Sequence, residues 1–335
     1  MRIGFTYEKR EDFVFRAGDP ADAHSEFDRA ATVQVISDAI VELGHDLVDI
    51  GAPAALIARG RSVADEVDIV FNIAEGYGTA SREGWVPSIL EALGVPFAGS
   101  DAASLNVTLN KGWTKMIVSH SGVRTAPFVL AEGADSIPDP FPLPFPVLAK
   151  PNREGSSKGI SGDSISRDIA HLRERVDLIT RSYRQQALIE AFLPGREFTI
   201  PILGTGNGAR VFGDVISVTL PGGTGDVYGN EIVFDPYNPY AIAADIAPEL
   251  RAEIAQLALT AFRAVGCRDF GRVDVRLDAD GRPNFLEVNP LPALSREDAF
   301  SLAARYEGIT YAGMIGAILD EALSRLGMKE QKNES

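Results

Sequence analysis

Residues 271–290, GRVDVRLDADGRPNFLEVNP, constrain the fold of this chain most, because two alternating runs flank one Asp-Gly dipeptide. Asp280-Gly281 is the pair that a two-residue type I′ hairpin turn prefers, so the runs are expected to fold back on each other. In that register Asp274 faces Glu287 and Arg272 faces Asn289. A period of two then puts Arg272, Asp274, Glu287 and Asn289 on one face, and Val273, Val275, Leu286 and Val288 on the other. Like charges directly opposite each other destabilise a ladder unless a cation sits between them. Two carboxylates and an amide oxygen are hard ligands, suited to Mg²⁺ or Mn²⁺ completed by phosphate and water. Without a cation the same face reads as a solvated sheet surface, and Pro283 counts against perfect pairing.

A second stretch, KPNREGSSKGIS at 150–161, supplies glycines, serines and two lysines between apolar runs. It contains G-x-S-x-G, the spelling of a nucleophile elbow, and it is also what an anion cradle needs, since glycine lets backbone N–H groups converge on a phosphate. An elbow requires strand, sharp turn and helix; here ISGDSI follows, and a helix is expected only from a Ser166 cap to about Tyr183. None of the four histidines offers a good base for Ser157. An esterase is therefore disfavoured.

The remaining pattern is α/β. Strands are expected at 2–7, in HDLVDIG and at 67–76, with helices from Glu26 to Leu43, closed by Gly44, and at 84–93. Such alternation implies a parallel sheet covered on both faces. Further strands fall at VLAK, ALIEAF and REFTIPILG, then around a glycine-rich loop in VFGDVISVTLPGGTGDVYGNEIVF. Helices follow at 247–265 and 311–326. The expected units are 1–100, 101–187 and 188–326, with a disordered polar tail at 327–335.

With 32 basic and 47 acidic residues the net charge is −15, which argues against nonspecific binding to nucleic acid or an anionic membrane. One cysteine, Cys267, reads as a small buried residue, and no signal-like or membrane-length apolar run occurs, so a cytoplasmic protein is expected.

Several ordered blocks together resemble the D-alanine–D-alanine ligases of the ATP-grasp superfamily over nearly the whole chain. They are AEGYGTASREGWVPSILEALGVPFAGS, LNKGWTK, PVLAKPNREGSSKGIS, ALIEAFLPGREFTIPILG and GCRDFGRVDVRLDADGRPNFLEVNPLPALS. The resemblance implies an ATP-grasp fold with an N-terminal parallel α/β domain, ATP and two metal ions, carboxylate and amine substrates, and a homodimer. It implies that Lys111 and Lys150 contact ATP phosphates and that Glu154, Gly155, Ser156 and Ser157 belong to a phosphate-covering loop running to Gly159. By the same resemblance Glu190, Ala191, Phe192 and Leu193 form a linker whose backbone reads adenine, and Glu197 holds the ribose. Asp274, Glu287 and Asn289 match metal ligands, Arg272 an arginine that stabilises developing charge, and Glu26 the acid that holds the first substrate's ammonium.

Departures concern the second substrate. Asp298 stands where the family has a serine that binds the acceptor's carboxylate, and Ala293 replaces a glycine. Two carboxylates repel unless one is protonated or an arginine such as Arg296 intervenes. Tyr228 is a candidate for the usual loop tyrosine. Lys158 adds a charge to the covering loop and reads as a solvated side chain. The expected activity is an ATP-dependent ligation of a carboxylate to an amine through an acyl phosphate, with an acceptor other than D-alanine. A true D-alanine–D-alanine ligase is the alternative, and a non-catalytic ATP-binding regulator is a third reading.

Overall fold

The computed structural model describes residues 1–219 and 239–328; the glycine-rich loop residue Tyr228 and most of the tail lie outside them. Strands β1 (Arg2–Thr6), β2 (Asp46–Gly51), β3 (Ile69–Asn72) and β4 (Phe97–Ala98) form a parallel sheet in the order β2-β1-β3-β4. This is the parallel α/β unit read from the sequence. Its two central strands are apolar on both faces because helices cover both: Ile3 and Phe5 join Ile36 and Ile40, while Val70 joins Leu56 and Leu90.

Strands β5 (Phe128–Ala131), β6 (Val147–Pro151), β7 (Ile165–Ser166) and β8 (Ala187–Ala191) make an antiparallel sheet in the order β5-β8-β6-β7. Ser166 belongs to β7 and does not cap the following helix. The helix Ile169–Tyr183 is capped by Asp168, whose carboxylate accepts from the His171 N–H at 2.9 Å. The first helix likewise begins at Ala30 rather than Glu26, which stays in the preceding turn.

The third sheet joins β9 (Glu197–Leu203), β10 (Arg210–Val211), β11 (Ile216–Val218), β12 (Tyr240–Ile242), β13 (Phe270–Leu277) and β14 (Pro283–Asn289). Helix Pro248–Ala264 covers one face through Ile254, Ala258, Ala261 and Phe262, against Val273, Val275 and Val288. The C-terminal helix Tyr311–Arg325 packs on helix Ala30–Glu42, so its Ile315, Ile318 and Leu319 share one core with Ile3 and Ile36. Buried Asp269 ties these parts together: it accepts from Gly99 N–H at 2.9 Å and pairs with Arg325 at 2.7 Å. Among the described residues no helix is long and apolar enough to cross a membrane.

The β13–β14 hairpin pairs Arg272 with Asn289 and Asp274 with Glu287, as the sequence pattern predicts, but by a different route. Its turn is longer than two residues. Asp278 and Arg282 bond across the end, and Gly281 sits at φ +77°, where an L side chain is strained. Beyond it Leu277 faces Pro283 and Val275 faces Phe285, one position off the simple register. A bulge at Leu286 restores the register before the charged pairs. Leu286 consequently lines the cleft instead of joining the apolar face with Val273 and Val288.

Candidate active site

One continuous cleft lies between the central and C-terminal sheets, with the N-terminal unit closing it. Its wall includes Glu26 and Asp28, Lys111, β6 with the 154–158 loop, the end of β8, and the charged face of β13 and β14. All the candidate residues from the sequence that fall within the described residues line this cleft.

Alternation along β13 and β14 delivers the polar face. Asp274 accepts from Arg272 through Nε at 3.0 Å and Nη2 at 2.9 Å, from Thr199 Oγ1 at 2.5 Å and from Asn289 Nδ2 at 3.0 Å. Glu287 pairs with Lys111 Nζ at 2.8 Å. Burial pushes the Glu287 carboxyl up, but Lys111 and Lys150 outweigh it and hold it at about 2. Burial likewise disfavours the Arg272 charge, and Asp274 more than reverses this, so Arg272 stays firmly cationic. Asp274, Glu287 and Asn289 present two carboxylates and an amide from neighbouring positions of the hairpin, a donor set that fits a hard divalent cation.

Lys150, next to last in β6, points inward, where its Nζ forms an ion pair with Glu190 at 2.7 Å, and the enclosed Lys115 forms another with the same carboxylate at 2.8 Å. Burial raises and the two lysines lower the Glu190 pKa, leaving it at about 2. Lys115, wholly enclosed, has its pKa pulled down by burial; Lys150 also faces Glu287 and Glu197, and its pKa goes up. The Glu190 side chain therefore positions a lysine, a part the sequence did not reveal. In the linker, Ala191 and Phe192 donate their N–H groups to Pro127 and Pro146. The Leu193 N–H has no acceptor among the described residues. Glu197 pairs with Arg276 at 3.2 Å, yet burial, together with Asp274 and Glu287, raises it to about 7.

The covering loop is clasped from the N-terminal unit. Glu26 accepts from Gly155 N–H at 2.5 Å, Lys158 Nζ at 2.6 Å and Arg82 Nη2 at 2.5 Å. A Cβ on residue 155 would lie 2.8 Å from the Glu26 oxygen, so only glycine permits this approach. Asp22 accepts from Gly159 N–H at 2.9 Å and Tyr183 Oη at 2.7 Å. Burial raises the Glu26 pKa, and Arg82 with Lys158 brings it down to about 2. Lys158 is thus buried and paired with Glu26 and Glu154, not solvated as its sequence context suggests. The Ser156 and Ser157 backbones are left-handed, at φ +46° and +55°. Among the described residues their N–H groups have no acceptor, although those of Gly155, Lys158 and Gly159 do. After Gly159 the chain enters a short turn and then β7, so no helix follows Ser157 as a nucleophile elbow would require.

Asp298 sits at the start of helix Ala299–Tyr306 and accepts from the Ser295 N–H at 2.9 Å. Asp28, which no motif in the sequence singles out, lies on the same cleft. Burial and the Asp298 charge push the Asp28 carboxyl up to about 7, and burial also raises Asp298. Arg296 does not neutralise Asp298: its guanidinium lies 4.8 Å from the centre of the Tyr311 ring.

Residues 118–320 match the family model for the D-Ala–D-Ala ligase C-terminus. The chain is 33% identical over 287 residues to a D-alanine–D-alanine ligase of Bordetella petrii, covering 84% of this chain and 85% of that one. It is 34% identical over 260 residues to an uncharacterised protein of Sinorhizobium fredii, covering 77% and 75%. Among solved structures it resembles the ATP complex of a D-alanine–D-alanine ligase from Bacillus anthracis, with a TM-score of 0.72, 20% identity and coverage of 98% and 99%. It also resembles the VanG D-Ala:D-Ser ligase of Enterococcus faecalis, with a TM-score of 0.73, 20% identity and coverage of 96% and 99%. With its three sheets arranged around one charged cleft, the chain belongs to the D-alanine–D-alanine ligase family and has the ATP-grasp fold.

Proposed function

We propose that this protein is an ATP-dependent, ADP-forming carbon–nitrogen ligase that joins a carboxylate to an amine through an acyl phosphate. The observation that carries the reading is the polar β13–β14 face, with Arg272, Asp274, Glu287 and Asn289 beside Lys111 and Lys150 under the 154–159 loop. In the first step a substrate carboxylate oxygen attacks the γ-phosphorus of ATP and ADP leaves. The two lysines and Arg272 offset the charge on the transferring group, and the Ser156 and Ser157 N–H groups are available to phosphate oxygens. Asp274, Glu287 and Asn289 would hold Mg²⁺ or Mn²⁺, which when bound supplies further neutralisation of the phosphates. In the second step an amine attacks the acyl carbon, the C–O bond to phosphate breaks, and the amine loses a proton. The clasped loop keeps water from the acyl phosphate.

Glu197 and the Leu193 N–H are our candidates for ribose and adenine contacts, and we take the enzyme to be cytoplasmic. The acceptor is an amine other than D-alanine, because Asp28 and Asp298 make that wall acidic. The alternative is D-alanine as both substrates, the activity that the names of curated relatives give for those proteins. ADP release with ATP, Mg²⁺ and single or paired amino acids and amines decides between them. Brisk turnover with D-alanine alone would establish the alternative; turnover only with a carboxylate–amine pair supports the main reading.

A further inference from the structure

Most charged groups of the cleft are paired with each other; Asp28 is not. Its segment is fixed by its backbone, which accepts from Arg10 N–H at 2.7 Å and bridges to Lys9. The side chain is half-buried on the cleft wall. Among the described residues no hydrogen bond or ion pair reaches its carboxylate. Asp298, close enough to perturb it, comes from a different part of the chain and is aimed by the Ser295 N–H.

The surrounding cations are committed elsewhere. Arg272 is bidentate on Asp274, and Arg296 is stacked on Tyr311. Arg10 donates to the carbonyls of Ser25 and Phe27; its attraction for Asp28 is weaker than the cost of burial and the repulsion from Asp298. Tyr311 donates its hydroxyl to the Leu294 carbonyl. Arg272 attracts Asp298 more weakly than burial opposes its charge, and among the described residues neither carboxylate has a cation within ion-pair distance; two such carboxylates on one cavity favour a cationic ligand group and repel an anionic one.

We infer that Asp28 and Asp298 recognise a positively charged group on the acceptor, so that the acceptor is a diamine or another amine with a second basic group, not an amino acid presenting a free carboxylate. This rests on the ligase reading. One nitrogen, unprotonated, attacks the acyl carbon; the second stays protonated between the two carboxylates. The C–N bond forms as the C–O bond breaks, phosphate leaves with the electron pair, and the attacking nitrogen gives up one proton.

The test uses the full chain with ATP, Mg²⁺ and a panel of D- and L-amino acid donors. Acceptors are hydroxylamine, 1,3-diaminopropane, propylamine and D-alanine, followed by ADP release and mass spectrometry of the product. Hydroxylamine, small and uncharged, intercepts the acyl phosphate without needing the acidic wall. The expected result is hydroxamate formation together with a kcat/KM for diaminopropane on the order of tenfold above propylamine and D-alanine. Asp28→Asn and Asp298→Asn should each bring the diamine-to-monoamine ratio towards unity. A merely structural role would lower both rates together and leave the ratio unchanged, which would overturn the inference. D-alanine as the best acceptor would also overturn it while leaving the ligase reading intact. Absence of hydroxamate with every donor would remove the ligase reading and this inference with it.

Discussion

The two ends of the cleft treat charge in opposite ways. Along β13, β14 and β6 the acids have cationic partners: Glu190 with Lys115 and Lys150, Glu287 with Lys111, Asp274 with Arg272, Glu197 with Arg276. Glu190 and Glu287 are held ionised at about 2, and only Glu197, where burial outweighs Arg276, rises to about 7. Around Asp28, Glu75 and Asp298 burial wins instead: Asp28 rises to about 7, and Glu75 and Asp298 also rise. Preformed pairs let lysines and carboxylates exchange partners with phosphate and metal at little desolvation cost, because the charges are already buried and oriented. Unpaired acids do the reverse, and favour whatever brings a proton or a cation to them.

Breaking the paired end should have the largest effect. Asp274→Asn removes a charge that orients Arg272 and belongs to the metal donor set. It should lower kcat for ADP release by about 10²–10³-fold, a loss typical of removing one electrostatic stabiliser. Next comes Glu190→Gln, which leaves Lys115 and Lys150 buried without their counter-ion. Losing one partner of a buried pair costs about 3–5 kcal/mol, measurable as a lower urea midpoint.

Glu26→Gln tests the clasp between the two ends and is predicted to speed proteolysis within 154–159. The pH sign follows from the depressed pKa. Glu26 sits at about 2 folded against an ordinary 4.5, so its contribution is fully present above 4.5 and is lost as pH falls from there through about 2. The wild-type minus Glu26→Gln difference in urea midpoint should therefore be flat from neutral pH to near 5 and shrink below it.

At the unpaired end the effect is smaller and of opposite sign with acid. Asp28 is faced by Asp298, Glu75, Tyr311 and Arg10. Its carboxyl gains charge as pH rises through about 7, so KM for a cationic acceptor should fall over that interval, and Asp28→Asn should flatten the profile. The smallest effect belongs to Gly281→Ala at the hairpin tip. A side chain there meets no neighbour but must adopt φ +77°, costing about 1 kcal/mol of stability while leaving kcat unchanged.

The paired end was largely legible in the sequence, and the unpaired end was not. Asp274 and Glu287 were correctly placed opposite each other because the longer turn and the Leu286 bulge shift the register in compensating directions. Strand alternation is local, so errors of one residue are the only kind it admits, and here two cancel. Lys158 misled because nothing near it in sequence announces Glu26, which is brought to it from the N-terminal unit. Arg82 and Asp28 carry no local signature either; their roles exist only once separate segments meet over one cleft. By resemblance Glu190 belongs to a backbone linker, whereas its side chain is fixed by a strand pairing that turns it inward between two lysines. Ser166 was a reasonable cap, but strand β7 claims it and Asp168 takes the role two residues later.

The central claim is that the cleft activates a carboxylate with ATP. The most direct measurement is hydroxamate and ADP formation by the wild-type chain with ATP, Mg²⁺, hydroxylamine and a panel of amino-acid donors, with Asp274→Asn in parallel. The account predicts equimolar hydroxamate and ADP for at least one donor and loss of both in the variant. ADP formed without hydroxamate, or equally with and without Asp274, would contradict it.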